Sequence, residues 1–434
     1  MSLDSSIRLL CTADLHLGRY PSRVPIGRPD LSVEFVWERI IDYAIQERVD
    51  ALVLAGDLVD QDNKFFESYG PLERGLLRLA EAGIHTYAVT GNHDYDVLPR
   101  LHGVLKPEFF HLLGQGGIWE ESTLIRGGDP VLGFLGRSFR SRTERISPLI
   151  GIPELRADVP VIGIVHGDLN AKSSMYAPLP ESDLKRVPVA SWILGHIHSP
   201  SRLDHRSGSI LYPGSPQPLD PGEAGAHGPY IVEVHPDGRV EMEQVVLASV
   251  KYASCDVDLS DVDGEDGFEG AVLEAVRDAC RREIDTNDRL RHVVYRPRYV
   301  GRTAVDRDIE KLHAYARANL VIPVGEACAT IDSFTPATSP AVDLEMISTA
   351  GGPLAELART MLMLENGDDA GELQQLVRDI RHSLERVARS SAYRPLREHG
   401  HEDDSEVADV TMMLGRQGML LLDELMSQTR RGIS

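Results

Sequence analysis

The sequence predicts an α/β layered domain followed by a small α+β domain and a helical segment. Three observations predict it. Apolar runs of strand length alternate with stretches of helical apolar spacing through the first half of the chain. The chemically unusual polar residues fall directly after those runs. Beyond residue 340 the strand-length runs stop and only helical spacing remains.

Residues 7–11 (Ile-Arg-Leu-Leu-Cys) read as a buried strand. Val36, Ile40, Ile41 and Ala44 share one face of a helix over 33–46, and a second strand follows at 51–54. A helix over 71–82 and a strand over 85–89 repeat the unit, and further strands are expected at 131–135, 161–165, 192–194 and 230–234. The turn Pro236-Asp237-Gly238 leads into a strand over 240–246, which closes a first domain of residues 1–247. Residues 250–340 read as strand (253–259), helix (268–284), strand (292–299), helix (306–319), strand (327–334) and a loop at 335–340, a small α+β domain. Residues 341–434 carry two apolar stripes. The first is Leu354, Leu357, Met361 and Leu362; the second, Leu373, Leu376, Val377, Ile380, Leu384 and Val387, is heptad-like. Acidic stretches at 366–369 and 399–406 read as loops.

Composition narrows the function. With 434 residues and 42% apolar content the chain can bury a sizeable core. Its four cysteines form no CxxC pair, so neither a disulfide framework nor a thiolate zinc site is expected, and a cytoplasmic home is. No apolar run approaches the roughly 20 residues that span a bilayer, so a soluble protein without a membrane partner is expected. A net charge of −22 excludes wrapping nucleic acid by bulk electrostatics.

The strand ends carry Asp14 and His16, then Asp57, then Asn92, His93 and Asp94, then His166, then His196 and His198. Ligands gather at the carboxyl edge of an α/β sheet because the loops there converge on a rigid support. Mixed carboxylate, imidazole and amide donors suit borderline divalent ions, manganese, iron or zinc, and a carboxylate such as Asp57 can bridge two of them. Asp14-x-His16 and His196-x-His198 alternate as in extended chain, which would point both members of each pair the same way. Gly56, Gly91 and Gly195 are expected to permit sharp turns. Singly, Asp14 reads as a helix cap, Asp57 and Asn92 as turn residues, and His166 as a satisfied core histidine. Five blocks in order, each at a strand end, read as a metal site.

These blocks, D-x-H, G-D-x-x-D, G-N-H-D, H and G-H-x-H, resemble the calcineurin-like metallophosphoesterase family over residues 7–246. Ala55-Gly56-Asp57-Leu58-Val59-Asp60, Gly91-Asn92-His93-Asp94 and Tyr212-Pro213-Gly214-Ser215-Pro216 look most like its SbcD-type DNA-repair nucleases, with their YhaO-like bacterial relatives. The resemblance implies a four-layer α/β/β/α metallophosphoesterase domain and two metal ions, most often manganese. Asp14, His16 and His198 would hold the first ion, Asn92, His166 and His196 the second, and Asp57 would bridge them. His93 would act as a catalytic group with Asp94 fixing its ring. Asp60 stands where some members carry a second catalytic histidine, so exonuclease and endonuclease activity both stay open.

The resemblance further implies a DNA substrate, a homodimer, a capping role for 250–340, and docking of residues 353–364 or 418–426 onto an SMC-like (SbcC-type) ATPase. Arg137, Arg140, Arg142 and Arg145 form a short basic cluster, read either as phosphate contacts or as a solvated face; His227 reads first as a surface or structural histidine, with an approach to the site as the alternative. Two other functions are carried alongside the nuclease: a phosphodiesterase for small nucleotide-type esters, which needs no basic groove, and a non-catalytic scaffold of an ATPase complex.

Overall fold

The computed structural model describes residues 6–60, 65–103, 108–155, 158–171, 173–205, 208–260, 262–365, 371–388 and 410–431. The acidic loops expected at 366–369 and 399–406 lie outside them. The chain divides into two compact units, Met1–Ser339 and Pro340–Ser434.

In the first unit two six-stranded sheets stack face to face. One runs Val240–Gln244, Tyr230–Val234, Ile7–Thr12, Ala51–Ala55, His85–Val89, Phe110–Leu112, its last four strands parallel. The other runs Ser201–His205, Gly208–Tyr212, Ser191–Gly195, Val161–His166, Asp129–Arg137, Glu120–Arg126, parallel through its middle four. The pleat assigns residues to faces. Leu9, Cys11, Val53 and Tyr87 point inward and meet Phe134, Ile164, Ile193 and Leu211 of the facing sheet. Leu10, Leu52 and Leu54 point outward under helices Val33–Gln46 and Phe65–Glu81, against Val36, Trp37 and Ile40. The outer face of the second sheet, with Val165, Trp192 and Leu194, is covered by Leu149, Leu179 and Leu184. The helix contributing to that cover, Glu181–Leu184, has four residues, so this outermost layer is thin.

A third sheet runs Val250–Asp258, His292–Thr303, Ala327–Ile331, Ile322–Val324, backed by helices Gly264–Thr286 and Ile309–Asn319 around Phe268, Val272, Val276, Tyr295 and Tyr299. Residues 335–340, expected as a loop, form a strand, Thr335–Pro340, that pairs with His292–Thr303. Two prolines disguised it, and proline is tolerated where no ladder N–H is required.

The second unit contains helices Leu344–Ser348, Pro353–Glu365, Gly371–Ala388 and Val410–Arg431. Ala358 and Met361 pack against Leu422, and a Cβ at Gly418 would lie 2.2 Å from the Met361 sulfur. The segments 353–364 and 418–426, expected to dock a partner, therefore meet one another in part, leaving Leu420 and Leu421 exposed. Among the described residues no helix is long and apolar enough to cross a membrane.

Candidate metal centre

Strands Ile7–Thr12, Ala51–Ala55, His85–Val89, Val161–His166 and Ser191–Gly195 all end at one edge of the two sheets, and the register that pairs Gly195 with His166 brings the two sheets' loops together there. The polar loops turn immediately after these strands. Asp14, His16, Asp57 and His196 have φ of 50°, 49°, 51° and 102°, a region that L-residues enter only at a cost. The extended alternation expected for Asp14/His16 and His196/His198 is therefore not how these pairs converge. Left-handed backbone turns them, held by Asp14 N–H to Gly56 O and His16 N–H to Asp57 O, each 3.0 Å. Of the three glycines, Gly56 makes such a turn, with φ of +91°. Gly91 and Gly195 serve close approach instead: a Cβ would lie 2.2 Å from Asp57 Oδ1 at the first and 2.0 Å from Ala55 O at the second.

The structure brings all seven expected ligands together. Ligand atoms of Asp14, His16 and His198 lie within 4.8 Å of one another, as do those of Asp57, His166 and His196, and those of His16, Asp57 and His93. Asn92 Oδ1 lies 3.1 Å from His196 Nδ1 and 3.3 Å from His166 Nε2. The His196 N–H donates to both oxygens of Asp14, 3.0 Å each. Neighbours fix the rings. His166 Nδ1 donates to Ala55 O (2.9 Å), leaving Nε2 to face Asp57 Oδ2 at 3.3 Å. His198 Nδ1 faces Glu223 Oε1 (2.9 Å), leaving Nε2 pointed at His16 Nε2, 3.2 Å away. Oriented this way, the rings turn the Nε2 atoms of His166 and His198 toward the neighbouring donor atoms.

Electrostatics follow from burial. Burial raises the Asp14 carboxyl to about 6 and holds His16 down at about 3 and His196 at about 4, so both imidazoles are neutral donors at pH 7. Burial pushes against His166 too, but Asp57 and Asp14 outweigh it and lift this ring to about 9. Asp57, despite burial, is held below the carboxylate range, chiefly by His166. These groups fit divalent cations: the donors are oxygen and imidazole nitrogen, and His16 Nδ1 is buried without a hydrogen-bond partner.

His93 stands at the rim, its side chain 33% exposed, its N–H donating to Asp57 Oδ1 (2.8 Å) and its ring edge-on to His16 at 4.9 Å. Here one expectation is corrected. Asp94 does not orient His93: its two oxygens accept the Leu58 N–H (2.6 Å) and the Gly91 N–H (2.7 Å), tying two site loops together, and burial raises its carboxyl to about 7. Asp60 takes the expected place, Oδ1 3.2 Å from His93 Nδ1, which raises the pKa of His93 and holds Asp60 at about 2.

Arg137 is corrected likewise. It is locked to Glu144 (2.8 Å) and to Gly117 O (2.9 Å) with 11% of its side chain exposed, and is not presented to a phosphate. Arg140 and Arg142 are exposed. His227 is buried, its Nδ1 donating to Ser215 O (2.7 Å), outside the ligand groups. The sequence reading missed Glu223 on His198 and Asp168, whose Oδ1 lies 3.3 Å from His196 Nε2. Asp168, two residues beyond His166, had a local signal; Glu223, 25 residues from His198, had none.

The profile of the calcineurin-like phosphoesterase family matches residues 7–200. The chain is 30% identical over 229 residues to an uncharacterized metallophosphoesterase, YhaO, of Bacillus subtilis, covering 51% of this chain and 54% of that one. It is 27% identical over 312 residues to the DNA double-strand break repair protein Mre11 of Haloferax volcanii (70% and 64%). It is 30% identical over 268 residues to the protein of that name in Methanopyrus kandleri (55% and 56%). The chain thus spans between about half and two thirds of the length of these curated relatives. Over residues 7–200 it carries a calcineurin-like metallophosphoesterase domain.

Proposed function

We propose that the chain is a two-metal phosphodiesterase that cleaves DNA. The observation that carries this reading is the position of Asp57, whose carboxylate lies within 4.8 Å of the ligand atoms of both His16 and His166, with His93 held beside it by Asp60. Asp14, His16 and His198 would hold one divalent cation and Asn92, His166 and His196 the other, with Asp57 between. Manganese is the expected ion, and iron or zinc suits the same donors. Such ions supply Lewis-acid polarisation of a phosphoryl group and a lowered pKa for water. The protein supplies the rest. Glu223 and the Ala55 carbonyl hold the His198 and His166 rings in ligating orientation. His93, with Nδ1 on Asp60, presents Nε2 as a proton donor to a departing oxygen.

The nuclease reading is supported by the relatives named as DNA double-strand break repair proteins, one of which aligns over 312 residues, beyond the extent of the phosphoesterase match. In this reading residues 250–340 guide the strand, and the helical unit, with Leu420 and Leu421 exposed, docks an SMC-like ATPase in a homodimeric assembly. A net charge of −22 favours a second reading, a phosphodiesterase for small nucleotide-type esters.

One experiment separates the two. The purified chain is incubated with manganese and either labelled single- and double-stranded DNA or bis-p-nitrophenyl phosphate, beside His93→Ala. The proposal expects cleavage of both substrates, with His93→Ala retaining metal and losing about 10²- to 10⁴-fold in rate. Hydrolysis of the small ester without DNA cleavage, even with an SMC-like partner added, would leave the second reading standing.

A further inference from the structure

We infer that the groove walled by Arg140 and Arg145, beside the His166 and His196 side of the metal centre, binds the unpaired strand of a nucleic acid. The inference rests on the nuclease reading above and adds to it a location and a strand form.

The segment 138–145 is anchored at both ends to the second ligand group. At its start the Phe139 ring stands edge-on to His166 (5.5 Å, 88°) and the Phe139 N–H donates to Thr90 O (3.2 Å). At its end Glu144 N–H donates to Met175 O (2.8 Å) and Glu144 O accepts from Ala177 N–H (2.7 Å), while the intervening Tyr176 ring lies 4.8 Å from His196. The anchors set Arg140 one residue beyond Phe139 and Arg145 one residue beyond Glu144, so a strand leaving the site along this segment would meet them.

These arginines are uncompensated. Arg8, Arg28, Arg78, Arg126 and Arg298 each meet a carboxylate, as befits a chain of net charge −22. Among the described residues no carboxylate lies within ion-pair distance of Arg140, Arg142 or Arg145, and all three are exposed. The neighbouring Arg137–Glu144 pair is neutral and forms the floor, so the positive charge sits on the rim. A polyanion is the ligand chemistry that satisfies such a rim.

The lining decides between duplex and single strand. The groove, about 530 Å³, also takes in Trp119, Ile118, Ile146 and Ile150. The three isoleucines are 64%, 68% and 75% exposed. A duplex turns phosphates and sugars outward and would leave these apolar faces uncovered. An unpaired strand can lay base faces on them while its phosphates meet the arginines.

The test uses the full chain in calcium buffer without manganese, and anisotropy of a labelled 20-nucleotide single strand and the matching duplex across a salt series. Arg140→Ala/Arg142→Ala/Arg145→Ala is expected to weaken single-strand binding at least about tenfold at low salt. The slope of log K on log salt should shrink by about 2, three contacts at ~0.7 each. The corresponding triple lysine variant should keep the slope. Hydrolysis of bis-p-nitrophenyl phosphate with manganese should stay within twofold of wild type for both variants, which also checks that they fold. Wild-type binding with an unchanged slope in the alanine variant overturns the groove and leaves the nuclease reading intact. Loss confined to the duplex overturns the assignment to an unpaired strand. A wild-type chain that hydrolyses the small ester but neither binds nor cleaves any nucleic acid overturns the nuclease reading, and the groove with it.

Discussion

Gly91→Ala tests whether the position of Asp57 is what makes the site work. A Cβ at residue 91 would lie 2.2 Å from Asp57 Oδ1, 2.7 Å from its Cγ and 2.7 Å from His166 Cε1. Cβ contacts below 3.0 Å do not occur in proteins, so residue 91 and Asp57 must separate from 2.2 Å to at least 3.0 Å, a shift of about 0.8 Å. Rotating Asp57 away breaks the bond from His93 N–H (2.8 Å) and takes Oδ2 from its place 3.3 Å from His166 Nε2. Moving loop 91–94 instead strains the Gly91 N–H to Asp94 bond (2.7 Å). A misplacement near 1 Å in a reacting constellation costs on the order of 10²-fold in rate. The expected result is therefore a fall of about 30- to 100-fold in kcat on bis-p-nitrophenyl phosphate at saturating manganese. A stability loss of about 1–3 kcal/mol, the range for a buried polar group losing its partner, should accompany it in thermal melts. Gly270→Ala is the control. It lies inside helix Gly264–Thr286, its Cβ would meet nothing within 4 Å, and alanine there should add about 1 kcal/mol of stability without touching activity. A Gly91→Ala protein that binds two equivalents of manganese and keeps wild-type kcat would refute the reasoning, since Asp57 would then not be fixed against this glycine.

The two acids around His93 should behave oppositely. Asp60→Asn removes the charge facing His93 Nδ1 and should lower kcat about tenfold or more with a stability loss smaller than that of Asp94→Ala. Asp94→Ala leaves the Leu58 and Gly91 N–H groups buried without acceptors and should cost about 2–6 kcal/mol in urea unfolding; equal stability of the two variants would contradict the assignment. Glu223→Gln should weaken manganese binding about 10- to 100-fold by calorimetry, because the His198 ring loses its charged anchor; unchanged affinity would mean the ring is held by packing alone. In the third sheet, burial holds His292 down at about 4, below its unfolded value of about 6.5. The stability this contributes is complete above pH 6.5 and is lost as pH falls toward 4, about 2–3 kcal/mol between pH 7 and 4.5. His292→Gln, which can keep the bond to Thr330 Oγ1 (2.9 Å), should be less sensitive to acid by that amount, and an identical acid loss in both proteins would exclude His292 as the source.

Much of this was legible in the sequence because it depends on local pattern. Helix Val33–Gln46 and strands His85–Val89 and Tyr230–Val234 match their apolar periodicity, and each ligand block sits where its strand ends. What was not legible depends on contacts between distant loops. Nothing in Gly91-Asn92-His93-Asp94 says that Asp94 turns back to the backbone while Asp60, from a loop 33 residues earlier, takes the histidine. The role of Arg137 was hidden because its partner Glu144, seven residues on, is one charge among several in a loop, and nothing local marks which of the neighbouring arginines it pairs with. Strand Thr335–Pro340 was hidden because its partner, His292–Thr303, extends past the neighbouring strands and offers an edge that no local signal announces.

The backbone at the site explains why the same residues are both recognisable and costly. Four of the proposed ligands, Asp14, His16, Asp57 and His196, sit at positive φ. Each costs on the order of 1–2 kcal/mol, so together they consume a sizeable part of a typical domain's net stability. Such strain persists only where the surroundings over-determine it. Here the loops hold one another: Gly56 O takes Asp14 N–H, Asp57 O takes His16 N–H, the Asp14 carboxylate takes His196 N–H, and Asp57 Oδ1 takes His93 N–H. Each carboxylate proposed to hold a cation thus also fixes a neighbouring loop. Converting Asp14 or Asp57 to a residue without that second function would remove a ligand and release the strain at once. That coupling ties ligand identity to backbone shape at these positions and keeps the blocks readable in a chain whose surface charge runs against its proposed substrate.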